Sequence, residues 1–274
     1  RHENILPFRF SSPCIPRAPP WVLPKPIVKL QIPGITRKSC ISSIGLKQLT
    51  LSHIYTVYGG TSHVYTNGSV TPSASAAAFV IPQMTIARRF KLDHKTTSTA
   101  AELVAIREAI RFLAGEPPRI WTLFCDAKPA LQAIECAMRQ GPYYILALEI
   151  AELLDIATKR GHHVTFQWIP AHCGVIGNEQ ADAEAKIAVN NAPEVSIAFS
   201  RTDTNALLRC VMRNSTLEHW TNPDRRHRRL HKWDPEMKFR MPHKLKRSIT
   251  SLIHRIRLGV ALTRRYRHII GCRD

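Results

Sequence analysis

The chain has 274 residues, 44% of them hydrophobic, and 39 Lys and Arg stand against 20 Asp and Glu, a formal net charge of +19. That length suits one domain with a full core plus flanking segments. The longest apolar stretch, Tyr143 to Ala157, is broken by Glu149, Glu152 and Asp155, which argues against a membrane span. Arg1 is followed by no basic-then-apolar signal pattern; an intracellular place, nuclear or cytoplasmic, is expected, and the chain reads as a piece of a longer polypeptide. The seven cysteines, at 14, 40, 125, 136, 173, 210 and 272, form no CxxC pair. Free thiols in a reducing compartment are expected, with no complete zinc site.

The charge is unevenly spread. Residues 1–61 hold 8 Lys/Arg against 1 Asp/Glu, residues 62–190 hold 12 against 12, and residues 191–274 hold 19 against 7. A neutral domain between basic arms suits attachment to a polyanion, and solubilising tails are the plain alternative. Three segments are expected: a Pro-rich basic linker with one helix over 1–61, an α/β domain over 62–190, and a basic, partly helical segment over 191–274.

In chain order, the opening 33 residues contain 8 of the 19 prolines and are expected to be extended and poorly packed. The apolar spacing from Cys40 to Ile54 predicts a helix closed by Gly59-Gly60. His63–Thr66, Ala76–Ile81 and Ile86–Leu92 predict a three-strand meander. Ser98–Ala114 predicts a helix, Ile120–Cys125 a fourth strand, Pro129–Met138 and Tyr144–Lys159 two helices, and His163–Ile169 a fifth strand stopped by Pro170. After a loop with His172, Gly174 and Gly177, Asn178 is expected to cap a last helix in which Ala181, Ala185 and Ala188 share one face. The order β-β-β-α-β-α-α-β-α predicts a five-stranded mixed sheet with helices on both faces, the first, fourth and fifth strands being parallel. Beyond residue 190, Asp224–Lys232 is dominated by Arg and His, and Lys246–Ile270 predicts an amphipathic basic helix.

Three carboxylates fall at the C-terminal or inner edge of this sheet: Glu102, Asp126 and Asp182. Converging carboxylates repel unless a cation lies between them, and Mg²⁺ accepts such hard oxygen ligands beside a phosphate. Each also has a plain reading. Glu102 with Thr99 spells a capping box, Asp126 can cap the next helix, and Asp182 can pair with Lys186. His162-His163 reads as the start of a strand with diverging side chains, and His172-Cys173 diverges likewise. Trp121 and Trp168 read as core or site-wall residues. The chain contains no G-x-S-x-G, P-loop or G-x-G-x-x-G pattern, which leaves triad hydrolysis and nucleotide binding without support.

Together the stretches YTNGS (65–69), TAAEL (99–103), LFCDA (123–127) and WIPAHCGVIGNEQAD (168–182) resemble a type I ribonuclease H domain. The resemblance implies an RNase H-like fold and hydrolysis of the RNA strand of RNA–DNA hybrids with two Mg²⁺ ions, or Mn²⁺ in their place. It implies that Glu102, Asp126 and Asp182 are the second, third and fourth metal-binding acids, and that His172 is the family's mobile histidine, assisting proton transfer or product release. Gly68, Ser69 and Asn178 are implied contacts to the substrate backbone, although Asn178 is explained equally as a helix cap. The flanks resemble the C-terminal part of a non-LTR retrotransposon polyprotein, which implies a reverse transcriptase in the same parent chain; His268 and Cys272 offer at most half a zinc site.

The departure is Asn67, where the family has its first aspartate. An amide offers one neutral oxygen and cannot supply the anionic bridge between two divalent ions. Metal binding and hydrolysis are therefore expected to be impaired, with a catalytically silent nucleic-acid-binding module or a retroelement relic as the alternative. Asn67-Gly68 also reads as a type I′ turn and as a deamidation-prone pair that could slowly yield an aspartate. Ala127 in place of a serine is a milder difference.

Overall fold

Apolar strands separated by turn residues and amphipathic helices build the sheet and its two covering layers. The computed structural model describes residues 19–36, 40–136, 141–222, 231, 233–240, 244–258, 260–261 and 267. In chain order the elements are β1 (Ile27–Lys29), α1 (Ser43–Tyr58), β2 (Ser62–Val70), β3 (Ser75–Ile81), β4 (Ile86–Leu92), α2 (Ser98–Leu113), β5 (Ile120–Cys125), α3 (Lys128–Glu135), α4 (Tyr144–Lys159), β6 (His163–Trp168), α5 (Ile176–Ala188), β7 (Glu194–Val195), α6 (Arg201–Thr221) and α7 (Arg247–Leu258). One compact unit runs to Asn205 and a second from Ala206.

The strands form one mixed sheet in the order β1-β6-β5-β2-β3-β4-β7. β2, β3 and β4 are the antiparallel meander, while β2, β5, β6 and β1 run parallel. Parallel strands need a crossover helix, and α2 joins the end of the meander to β5 while α3 and α4 join β5 to β6. α1 and α5 lie on one face: Tyr58 packs edge-on to Phe124, and Gly177 abuts the ring of Tyr65. α2 lies on the other face and is tied to α4 by Arg107 and Glu149, 2.7 Å apart. The parallel strands, covered on both faces, are accordingly apolar runs, as in Trp121–Cys125, all buried.

The sheet has seven strands where the sequence predicts five. The added strands, β1 and β7, have three and two residues, too few to show a period of two. β1 also corrects, for residues 19–33, the expectation that the first 33 residues are poorly packed; residues 1–18 lie outside the described residues. Pro24 and Pro26 precede β1 at the sheet edge, a position proline tolerates, and Leu23, Ile32 and Ile35 are buried. α1 belongs to the same core through Leu46, Thr50, Ile54 and Tyr58. Tyr58 donates its hydroxyl to Gln167 Oε1 on β6 at 2.7 Å.

Local chemistry departs from the predicted caps. Thr97 caps α2, its hydroxyl accepting from the Ala100 N–H at 3.2 Å, so Glu102 is not the end of a capping box. α5 begins at Ile176 after Val175, which makes no side-chain cap, and Asn178 is buried inside the first turn. Ala127, not Asp126, precedes α3. Asn67-Gly68 is no turn: both residues lie within β2 opposite Ala78 and Ala77, and the hairpin turns at Thr71–Ala74. His162 is buried and accepts from Trp121 Nε1 at 3.1 Å, whereas His163 is exposed. Cys125 and Cys173, both buried, and the exposed Cys40, Cys136 and Cys210 form no disulfide.

Within the second unit, Asp234 accepts from the backbone N–H of Lys238 and Phe239 at 2.8 and 2.9 Å, and its carbonyl accepts from Trp220 Nε1 at 2.8 Å. α6 was not anticipated, and α7 realises the first part of the predicted basic helix; the rest of it, most of Asp224–Lys232, and the pair His268 and Cys272 lie outside the described residues. No helix among the described residues is long and apolar enough to cross a membrane.

If α1 is part of the core, Ile54→Ala should lower the stability of the chain by about 2–5 kcal/mol, because Ile54 is only 1% exposed. Chemical denaturation monitored at the tryptophans measures it; an unchanged midpoint would mean that the helix merely lies along the surface.

Candidate active site

The site is built where β2 and β5 end side by side. Thr66 is paired with Cys125, the last matched couple of the two strands. Both point toward α2, and both donate to Glu102 Oε1, the Thr66 hydroxyl and the Cys125 thiol each at 3.2 Å. Gly68, two residues after Thr66, faces the same way: a Cβ there would lie 2.5 Å from the Glu102 nitrogen. A glycine is therefore required for α2 to approach the strand this closely.

Side chains alternate along a strand, so Asn67 and Asp126 turn to the opposite face, the one that α5 covers. Asn178 on α5 donates its amide to Asp126 Oδ2 at 3.1 Å, and Trp168 Nε1 donates to the Asp126 carbonyl at 3.1 Å. Asn67 is buried. Asp182 lies four residues after Asn178, on the same face of α5. The charge of Asp126 reaches Glu102 across the end of the strand pair, Asn67 lies at the next position of that pair, and Asp182 sits on the helix that holds Asp126, where its carboxylate groups with His172 and Glu179 and not with the other two acids. Asp182 also makes the predicted pair with Lys186, at 2.7 Å, an exposed contact that a stronger partner displaces at little cost.

His172 is exposed in the β6–α5 loop with a φ of 53°, a left-handed conformation uncommon outside glycine and often found at functional loops. Its ring, Glu179 and Asp182 offer ligand atoms within 4.8 Å of one another. Glu179 also accepts from the Gly174 N–H at 3.2 Å, which holds the loop against the helix. Ser69 is half-buried one step past Gly68 on β2. Cys173 is buried with its thiol donating to Pro170 O at 3.2 Å, so it diverges from His172 as expected.

Burial, and after it the charge of Asp126, pushes the Glu102 carboxyl up to about 8, against the donors Cys125, Thr66 and Gly68, which favour its ionised form. The same burial, with Glu102 and Asp126 beside it, raises the Cys125 thiol well above its ordinary value, so it stays protonated as a donor. A buried carboxyl that holds its proton near a second carboxylate is a donor for a cation, because a divalent ion supplies the charge that burial denies it and displaces the proton. Asn178 Oδ1, buried without a hydrogen-bond partner, leaves one more oxygen uncommitted. The residues present fit a hard divalent ion.

Residues 60–190 match the family model of RNase H. This stretch is similar to RNase H domains. The family comprises hydrolases that act on RNA–DNA hybrids and typically use divalent metal ions, and the match covers slightly under half of the 274 residues. No curated protein matches the chain.

Sequence reasoning missed Thr66, Cys125 and Glu179 as parts of this cluster. Thr66 and Cys125 lay inside the quoted motifs, but only the register that pairs them shows that both meet Glu102.

Glu102 fixes a pH dependence. Its pKa in the fold, about 8, lies above the ordinary 4.5, so the stability it contributes is full below about pH 4.5 and is lost as pH rises to about 8. In metal-free buffer the native chain should lose on the order of a few kcal/mol relative to Glu102→Gln between about pH 5 and pH 8; parallel denaturation curves across that range would refute it. Deamidation is also answered by the fold. Gly68 nitrogen cannot turn onto the Asn67 side chain while both residues are paired with β3, so peptide mass spectrometry should find the shift at Asn67 in aged unfolded chain and not in aged folded chain.

Proposed function

We propose that residues 60–190 hydrolyse the RNA strand of RNA–DNA hybrids in a type I RNase H site that takes two Mg²⁺ ions, or Mn²⁺, at a rate reduced by Asn67. The observation that carries the reading is the end of the β2–β5 pair, where Thr66 and Cys125 hold Glu102 and Asn178 holds Asp126, with Asn67 in the adjoining place. Glu102, Asp126 and Asp182 hold the cations, with Asn67 as a weak neutral ligand. When bound, the cations supply polarisation of the attacking water and neutralise charge on the phosphate and the leaving 3′ oxygen. Water adds to phosphorus, the bond from phosphorus to the 3′ oxygen breaks, and a 5′-phosphate and a 3′-hydroxyl result.

The remaining steps belong to the chain's own groups. Thr66 and Cys125 fix Oε1 of Glu102, and the Gly68 backbone N–H supports the same carboxylate. Asn178 orients Asp126 through Oδ2. His172, exposed on its loop, hands a proton to the leaving oxygen or assists release of the product. Gly68, Ser69 and Asn178 line the path of the substrate backbone. Asn67 removes one anion from the set that would hold two ions close together, and an electrostatic group of this kind is worth roughly 10²-fold or more in rate.

Asn67 is also what favours the second reading, a catalytically silent binder of hybrids that uses duplex shape and basic flanks. We read those flanks as the C-terminal part of a non-LTR retrotransposon polyprotein, with a reverse transcriptase as partner in the parent chain. Support comes from the charge pattern, 8 basic residues against 1 acidic before residue 62 and 19 against 7 after residue 190.

The decisive comparison is hybrid cleavage in Mg²⁺ by the native chain and by Asn67→Asp. The substitution should raise the rate by about 10²-fold or more, and EDTA should abolish what activity there is. Equal rates would dismiss the view of Asn67 as the impairing residue. A folded Asn67→Asp variant without activity would count against Glu102, Asp126 and Asp182 as the metal set. Metal affinity should rise from about pH 7 to pH 9, because binding must displace the Glu102 proton; calorimetry showing no proton release at pH 7 would contradict that.

A further inference from the structure

α1 precedes the matched stretch 60–190, yet it reaches the loop that carries His172. Of its sixteen residues, SIGLKQLTLSHIYTVY, Lys47 alone is a Lys, Arg, Asp or Glu. A Cβ placed on Gly174 would lie 3.2 Å from Lys47 Cδ and 3.5 Å from its Nζ. The ammonium therefore rests against the backbone of Gly174, two residues past His172. Gly174 has a φ of 81° and carries no side chain that would hold the lysine off.

Lys47 is fixed in place from below and open above. Its neighbours on the core side of α1, Leu46, Thr50 and Ile54, are buried, while Lys47 itself is exposed. Among the described residues no carboxylate pairs with it. Some cations of the domain are matched, Arg89 with Glu184, Arg107 and Arg111 with Glu108, Lys159 with Asp155, and Lys186 with Asp182; Lys95 bonds the Pro72 carbonyl and Lys128 lies over the Trp168 ring instead. Helix α1 is otherwise apolar or neutral, and its exposed residues include Ile44, Tyr55 and Val57. An unmatched ammonium held at the lip of a site for a polyanion has one complementary ligand, a backbone phosphate oxygen.

We propose that Lys47 contacts a phosphate of the bound RNA–DNA duplex beside the cleavage position, which makes α1 a substrate-binding element outside the RNase H stretch. The inference rests on the reading that a hybrid occupies the Glu102–Asp126 site. Lys47 contributes grip and register and carries no sequence preference, since a phosphate contact reads none.

The test is binding of a fluorescently labelled RNA–DNA hybrid to the full chain by anisotropy over a salt series, in Ca²⁺ and again in EDTA. Lys47→Ala should weaken binding several-fold and flatten the dependence of log affinity on log salt by about 0.9, the loss of one phosphate contact on a duplex. Lys47→Glu should weaken it further, Lys47→Arg should keep both affinity and slope, and Lys159→Ala should change neither. The melting temperature of Lys47→Ala should match the native chain, because the side chain is exposed. If the native chain binds and Lys47→Ala leaves affinity and slope unchanged, this inference alone is wrong. If the native chain binds no hybrid under either condition, the reading of the site falls and this inference with it.

Discussion

The candidate site depends on the register of β2 against β5. With Thr66 opposite Cys125, two donors from neighbouring strands converge on one oxygen of Glu102. The alternation of side chains then sends Asn67 and Asp126 to α5. A slip of one residue would exchange the faces, turning Thr66 and Cys125 away from α2 and parting Asp126 from Asn178. What prevents the slip is the core on both faces. Tyr65 stacks on Phe124 with ring centroids 5.0 Å apart beneath α5, and Gly68 admits only a helix backbone on the α2 side. The chemistry of the site and the packing of the domain are fixed by the same pairing.

Electrostatically, a site of this kind is unfavourable until something positive enters it. Glu102, 2% exposed and next to Asp126, keeps its proton near neutral pH, and Asp182 leans on Lys186. An aspartate at position 67 would add a further carboxylate at the most crowded point, strengthening the hold on cations and the repulsion without them. Asn67 lies on the other side of that balance. A neutral amide adds no charge beside Asp126, so without a cation the fold carries less repulsion than it would with an aspartate there. Asn178 donates to Asp126 with one amide atom, while its other is buried without a partner.

Much of this was legible in the residues. The strands Ile86–Leu92 and Ile120–Cys125 and the helix Tyr144–Lys159 fall where their apolar pattern puts them, and the four motif stretches place the acids on the expected elements. Other features left no local signal. β1 and β7 are shorter than one full alternation. The run Thr96-Thr97-Ser98-Thr99 offers several hydroxyls as caps for α2, and only the entry angle of the chain selects Thr97, freeing Glu102 from the cap and burying it. Asn178 follows a glycine just before a helical pattern, the composition of a cap, yet Ile176 already begins the turn and the amide is spent on Asp126. The pair Asn67-Gly68 favours a tight turn in isolation, and tertiary pairing with Ala78 and Ala77 overrides it.

Family resemblance and physical domain do not end at the same residue. The match begins at residue 60, whereas burial begins at Leu23 and continues through Ile32, Ile35, Leu46 and Ile54. The aromatic cluster makes the reason plain: Phe124 on β5 is flanked by Tyr65 from the matched stretch and Tyr58 from α1, and Gln167 on β6 accepts from Tyr58 and donates to the carbonyl of Gln31. Strands β5 and β6 carry Asp126 and lead into the His172 loop, so the elements ahead of residue 60 buttress the two strands on which the acids and the histidine depend. A helix that must lie there to cover Phe124 and Gln167 necessarily ends up beside the loop that follows β6. One lysine in its first two turns is enough to place a cation there, and that is where Lys47 stands.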